Sequence, residues 1–144
     1  MIAVLALLLT ASPQVSHRRV MTPDGVALAV YRYQRPGVTS AQPPVLLVPE
    51  LGFSRAAWDF EGRGLARWLV ERGFTVYVAE LRGQGKAGPG LSLERLAGDL
   101  PIVLDALKLP LVDLVVQGWA GSVLLASNRG DARVRRVVAL NTPL

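Results

Sequence analysis

Three short segments hold the residues whose types and spacing suit chemistry. Each follows directly on an apolar run of strand length: Val48-Pro49-Glu50-Leu51-Gly52-Phe53, Ala79-Glu80-Leu81-Arg82-Gly83-Gln84-Gly85 and Val116-Gln117-Gly118-Trp119-Ala120-Gly121-Ser122. Ligands of open α/β sheets bind at the carboxyl ends of the strands, which is where these segments fall. Their polar side chains include the Glu50 and Glu80 carboxylates, the Arg82 guanidinium and the Ser122 hydroxyl. The single histidine, His17, lies far upstream of the third segment. Cysteine is absent, which excludes disulfides, thiolate metal sites and a cysteine nucleophile and says nothing about compartment. One histidine and scattered carboxylates show no ligand spacing, so no metal and no cofactor is expected.

The elements that must position these segments follow from the hydrophobic pattern. Apolar residues alternate from Val20 to Tyr33 on either side of Pro23-Asp24-Gly25, which predicts a β-hairpin. Residues 35–43 are polar and rich in Gly, Pro and Ser, and read as a loop. Val45-Leu46-Leu47-Val48 is continuously apolar, as a strand buried on both faces would be. Leu65, Trp68 and Leu69 then share one helical face, and Gly73 marks a helix stop. Phe74 to Ala79 is the next buried strand, and Ser92 caps a helix through Leu107. Pro101 predicts a weak point or kink there, with two shorter helices as the alternative. A strand at Leu111–Val116, a helix from about Gly121 to Ser127 and a strand at Val134–Leu140 complete the series. The expected class is α/β, with a mostly parallel sheet, right-handed crossovers and an N-terminal β-hairpin.

The 144 residues amount to one domain, and with 51% of them apolar a packed globule is expected. The net charge of +5 comes from arginines spread along the chain rather than clustered on one arm, which argues against nucleic acid as a partner. The apolar run Met1–Ala11 is shorter than the roughly 20 residues that span a bilayer. It has the length of a signal-peptide core but lacks preceding basic residues, and Pro13 follows the small residues closely. Residues 1–16 are therefore read as an apolar N-terminal segment or a signal peptide, with the domain at residues 17–144 and the cytoplasm slightly favoured over export.

Taken together, the three segments resemble the α/β-hydrolase family, with lipase/esterase-like and polyester-synthase-like members the most similar. Val48–Phe53 is similar to the loop that supplies one oxyanion-hole N–H, and Glu80-Leu81-Arg82-Gly83-Gln84-Gly85 to an Asp-Leu-Arg-Gly-x-Gly loop. Gly118–Ser122 resembles the G-x-S-x-G nucleophile elbow, on a tight turn from strand to helix. Trp58, Leu65–Leu69 and Arg72-Gly73-Phe74 add to the likeness, which runs from about Val20 to Leu144. It implies the N-terminal half of such a fold, truncated after about the sixth strand.

The departures bear on function. Aligning Gly118 with the first glycine of the elbow puts Ala120 at the nucleophile position and Ser122 where the last glycine is expected. Losing the nucleophile removes the covalent step, a deficit of roughly a millionfold in one protease. Ser122 as a shifted nucleophile is weighed against a hydroxyl bonding within the first turn of its helix. The resemblance assigns the oxyanion-hole donors to the backbone N–H groups of Leu51 and Gly121. Glu50 stands where glycine is usual, either opposing the charge that develops there or pointing away into solvent. Neither the acid nor the histidine of a triad follows the elbow, and His17 reads as a solvated residue or part of a processing site. Asp99, Asp105 and Asp113 read as surface or capping residues.

The expectation is thus an α/β-hydrolase-like protein, related to ester and lipid hydrolases and inactive as written. One alternative is a binding or interaction module, with Phe53 and Trp119 lining an apolar pocket for an ester or acyl chain; core packing is the other reading of Trp119. The strand at Val134–Leu140 would present an unpaired edge to a homo-oligomer or a second polypeptide. The other alternative is a hydrolase completed by a separate C-terminal half, against which Ala120 weighs.

Overall fold

The computed structural model describes residues 12–128 and 130–143, so the apolar run at residues 1–11 lies outside it. The hairpin forms, and it extends beyond its apolar part. Strand β1 (Gln14–Met21) pairs antiparallel with β2 (Ala27–Gln34), in register from Gln14↔Gln34 to Met21↔Ala27. The domain start placed at residue 17 therefore falls inside a strand. Backbone pairing holds β1, since Val20 is its one buried residue. At the turn, Thr22 Oγ1 donates to Asp24 Oδ1 at 2.7 Å and accepts from Val26 N–H at 2.9 Å, while Gly25 takes a φ of +83°.

The remaining strands are β3 (Val45–Val48), β4 (Val76–Glu80), β5 (Val112–Gln117) and β6 (Val134–Leu140). Between them lie helices α1 (Leu65–Glu71), α2 (Leu93–Leu107) and α3 (Gly118–Ser127). The six strands form one sheet in the order β1-β2-β4-β3-β5-β6. Strands β4, β3, β5 and β6 run parallel, and β2 joins β4 antiparallel. The all-apolar β3 is explained by its place between β4 and β5, with both of its faces covered. Leu46 and Val48 enter the core under α2 and α3 with Leu100, Leu104 and Leu124. Val45 and Leu47 enter the opposite core, under α1, with Trp58, Val70 and Tyr33.

Helix α2 runs unbroken through Pro101, contrary to the alternative of two shorter helices. Proline cannot supply the N–H that the Ala97 carbonyl would normally accept. The Asn128 side chain replaces it, donating from Nδ2 to the Ala97 and Leu124 oxygens at 3.0 Å each. This contact also ties the end of α3 to the middle of α2.

Asp99 is not a surface residue. It is fully buried, and both of its oxygens accept from Arg82, with Nε–Oδ2 at 2.9 Å and Nη2–Oδ1 at 2.7 Å. Arg82 reaches on to Asp24 of the hairpin turn at 3.0 Å, and Arg95 of α2 meets the same carboxylate at 2.8 Å. Asp113 and Asp105 form more exposed pairs with Arg135 and Arg133. Strand β6 has no partner beyond β5 among the described residues, and every residue from Arg135 to Leu140 is exposed.

Candidate functional site

The loops after β3 and β4 are stitched together by buried polar side chains. Gln84, 2% exposed, donates from Nε2 to the Pro49 carbonyl at 2.6 Å and accepts from Leu81 N–H at 2.7 Å. Glu80 accepts from the backbone N–H groups of Arg55 and Lys86, each at 2.7 Å. A Cβ on Gly85 would stand 2.1 Å from the Glu80 carboxyl carbon, so only glycine fits there. Gly52 N–H donates to the Gly83 carbonyl and Gly85 N–H to that of Phe53, which completes the seam.

This seam holds Glu50 against the start of α3. Its Oε1 accepts from Leu51 N–H at 2.6 Å and from Ala120 N–H at 3.2 Å, and its Oε2 accepts from Trp119 N–H at 2.7 Å. The carboxylate does not point away into solvent. The first turn of a helix presents N–H groups without intrahelical partners and the positive end of the helix dipole, and both favour an anion there. Gly118 makes the approach feasible: it has a φ of +58° at the turn from β5 into α3, and a Cβ on it would stand 1.3 Å from Glu50 Oε2.

The other candidate residues fall around this contact. Ala120 is completely buried within the first turn of α3, with no open face for a reacting group. Gly121 packs α3 closely on the sheet, where a Cβ would lie 2.9 Å from Val116 Cγ2 and 2.8 Å from Thr142 Oγ1. Ser122 donates to the Pro143 carbonyl rather than within its own helical turn. Of the two expected oxyanion donors, the Leu51 N–H faces the Glu50 carboxylate. Beside it are Trp119 and Ala120 rather than Gly121. Phe53 and Trp119 are 57% and 64% exposed, so Trp119 is not core packing. Sequence reasoning missed Glu50 as the hub of the site, although a carboxylate one residue from a predicted donor was a signal for it.

His17 is remote from all of this. It lies on β1, its ring stacked on Tyr31 at 4.8 Å, and β2, β4 and β3 separate it from β5. At about 4.8 Å per strand that is a displacement of roughly 19 Å. Among the described residues no group of three His, Asp or Glu side chains is placed to hold a metal ion, and no helix is long and apolar enough to cross a membrane.

No protein-family model matches the chain, and no curated protein does. Solved structures match well. A hydrolase from Pseudomonas aeruginosa is 26% identical, with a TM-score of 0.70 over 88% of this chain and 46% of that one. A carboxylesterase from Nitrososphaera gargenis gives 19% identity and a TM-score of 0.72, over 88% of this chain and 46% of that one. An epoxide hydrolase from Vigna radiata gives 21% identity and a TM-score of 0.68, over 90% and 39%. The chain has the α/β-hydrolase fold, and it spans less than half the length of each of these three structures.

Proposed function

We propose that this chain is an α/β-hydrolase-fold protein, related to the ester and epoxide hydrolases, whose own site carries out no covalent hydrolysis. The observation that carries the reading is the Glu50 carboxylate seated on the N–H groups of Leu51, Trp119 and Ala120. In serine hydrolases of this fold the nucleophile sits on the strained turn between strand and helix, and the next residue supplies an oxyanion N–H. Here the positive φ at that turn belongs to Gly118, and the next residue is Trp119. That supports an elbow read as Gly118-Trp119-Ala120-Gly121, two residues earlier than the alignment through Ala120. The nucleophile position then carries no side chain at all. The donors that would stabilise a developing oxyanion already face a carboxylate, which opposes further negative charge.

Ser122 does not rescue the chemistry. It lies a full helical turn beyond Gly118, its hydroxyl is engaged with the Pro143 carbonyl, and no histidine adjoins it. Intact mass after incubation with a fluorophosphonate probe tests the reading. The chain is expected to keep its mass, whereas stoichiometric labelling at Ser122 would overturn it.

A further inference from the structure

The end of the sheet opposite the Glu50 contact carries a second feature. There the end of β2, the loop at residues 35–43 and the residues just before β3 and β4 surround a hollow of about 460 Å³. Ligand pockets typically measure about 300–1,000 Å³. The four residues of β3, roughly 13 Å of strand, separate it from the Glu50 loop. Two turns hold its wall. Pro36 and Gly37, the latter at a φ of +69°, form the middle of a turn that Val38 N–H closes on the Arg35 carbonyl at 3.3 Å. Ser40 Oγ accepts from Gln42 N–H and donates to the Gln42 carbonyl, each at 3.2 Å.

The charge around this hollow has one sign. Arg32 and Arg35 line it and no carboxylate does. With Tyr77, Arg32 also borders a smaller hollow of about 290 Å³, which adds Arg18 and again holds no carboxylate. The Arg32 guanidinium stands over the Tyr77 ring at 6.0 Å. Elsewhere guanidinium groups meet carboxylates, as Arg67 meets Asp59, Arg82 meets Asp99 and Arg135 meets Asp113. Among the described residues, Arg18, Arg32 and Arg35 have no such partner, and Arg35 Nε is buried without an acceptor. A cleft lined by charges of one sign concentrates the opposite charge.

We propose that this hollow binds a phosphate group, borne by a soluble phosphate or by a lipid headgroup, with Arg32 and Arg35 as its principal donors. A guanidinium presents a planar fork of N–H donors that engages phosphate oxygens two at a time. A carboxylate brings one charge and two oxygens. A phosphate monoester brings about −1.5 to −2 charges near neutral pH and three acceptor oxygens, which suits two or three unpaired guanidinium groups better. Gln34, Thr39, Gln42 and Thr75 line the same hollow and add amide and hydroxyl donors.

The site is independent of the non-hydrolytic reading, since it lies at the other end of the strands and its test reads binding. Pyrophosphate is titrated into the full chain and its Arg32→Gln, Arg35→Gln and Arg63→Gln variants, with backbone amide resonances followed by NMR. Arg63 lies outside both hollows, so its loss controls for net charge. Pyrophosphate is expected to saturate the unaltered chain with a Kd below about 1 mM, with the largest shifts at the amides of residues 32–42 and Thr75. Arg32→Gln and Arg35→Gln should each weaken binding about tenfold by loss of charge-assisted hydrogen bonds, and Arg63→Gln should change it by less than about twofold. Absence of saturation, equal weakening by Arg63→Gln, or shifts centred on the amides of Leu51, Trp119 and Ala120 overturns the site. Should an arginine variant not fold, the titration and shift map of the unaltered chain decide alone. Co-sedimentation with phosphatidylcholine vesicles carrying phosphatidic acid then identifies the source. Vesicle binding that pyrophosphate displaces assigns a lipid headgroup, and vesicles left unbound by a chain that binds pyrophosphate assign a soluble phosphate; either result upholds the site.

Discussion

Single residues here act through what they fill or leave empty. Gly118 is needed twice over, for its left-handed φ and for the room it leaves Glu50. Gly118→Ala should cost about 1–2 kcal/mol from the backbone conformation alone, and more while Glu50 is present. In a Glu50→Ala background only the backbone cost should remain, a non-additivity that urea melts of the four proteins would measure. Additive costs would show that the two side chains do not meet. Arg82 is 2% exposed and compensates the fully buried Asp99, so Arg82→Ala should destabilise the fold by about 3–5 kcal/mol in denaturant unfolding. Its hydrogen bonds also hold the Asp24 carboxyl well below the usual carboxylate range. That contribution is complete above pH 3.8, the ordinary value, and is lost as the pH falls further. Burial pushes the Tyr33 hydroxyl up to about 12, so its contribution is complete below pH 10 and is lost as the pH rises toward 12. Tyr33→Phe should flatten that alkaline loss in a series of thermal melts. None of these couplings has a local signature. Asp99 reads as a surface aspartate because its partner lies in another loop, and Glu50 reads as solvated because its donors belong to α3.

At the scale of elements, pattern and structure agree where a strand is apolar throughout: the runs of β3, β4 and β5 are two-sided burial written directly into the chain. The hairpin's alternation predicts two half-buried strands, whereas β2 enters both cores and β1 buries only Val20. Agreement fails where backbone partners decide the outcome. Strand β1 begins at Gln14 because β2 pairs with it, and α2 continues through Pro101 because Asn128 takes over the carbonyl that proline leaves. Helix α3 starts at Gly118 rather than near Gly121, a shift that moves the whole reading of the elbow. The Asn128 contact is testable. Asn128→Ala orphans the Ala97 carbonyl and should cost about 1–3 kcal/mol in chemical denaturation. A Pro101→Ala background restores the helical N–H and should reduce that cost. An unchanged cost in that background would mean that Asn128 acts only through α3.

At the scale of the whole molecule, β1 and β6 are the two edges of the sheet among the described residues, and β6 is the apolar one, with Val137, Val138 and Leu140 each at least 40% exposed. Apolar edge strands of this kind invite pairing, so we expect the purified chain to self-associate at micromolar concentrations in sedimentation velocity. A charge on the edge, as in Val138→Lys, should shift it toward monomer. The same openness leaves the activity of any larger assembly to whatever covers β6. The contact of Glu50 with the first turn of α3 lies within this chain, and the central claim can be tested on it directly. The deciding measurement is the turnover of p-nitrophenyl butyrate and of styrene oxide by the purified chain. The account predicts rates equal to those in buffer for both substrates. Saturable turnover of either one, abolished by Glu50→Ala or by Ser122→Ala, would contradict it.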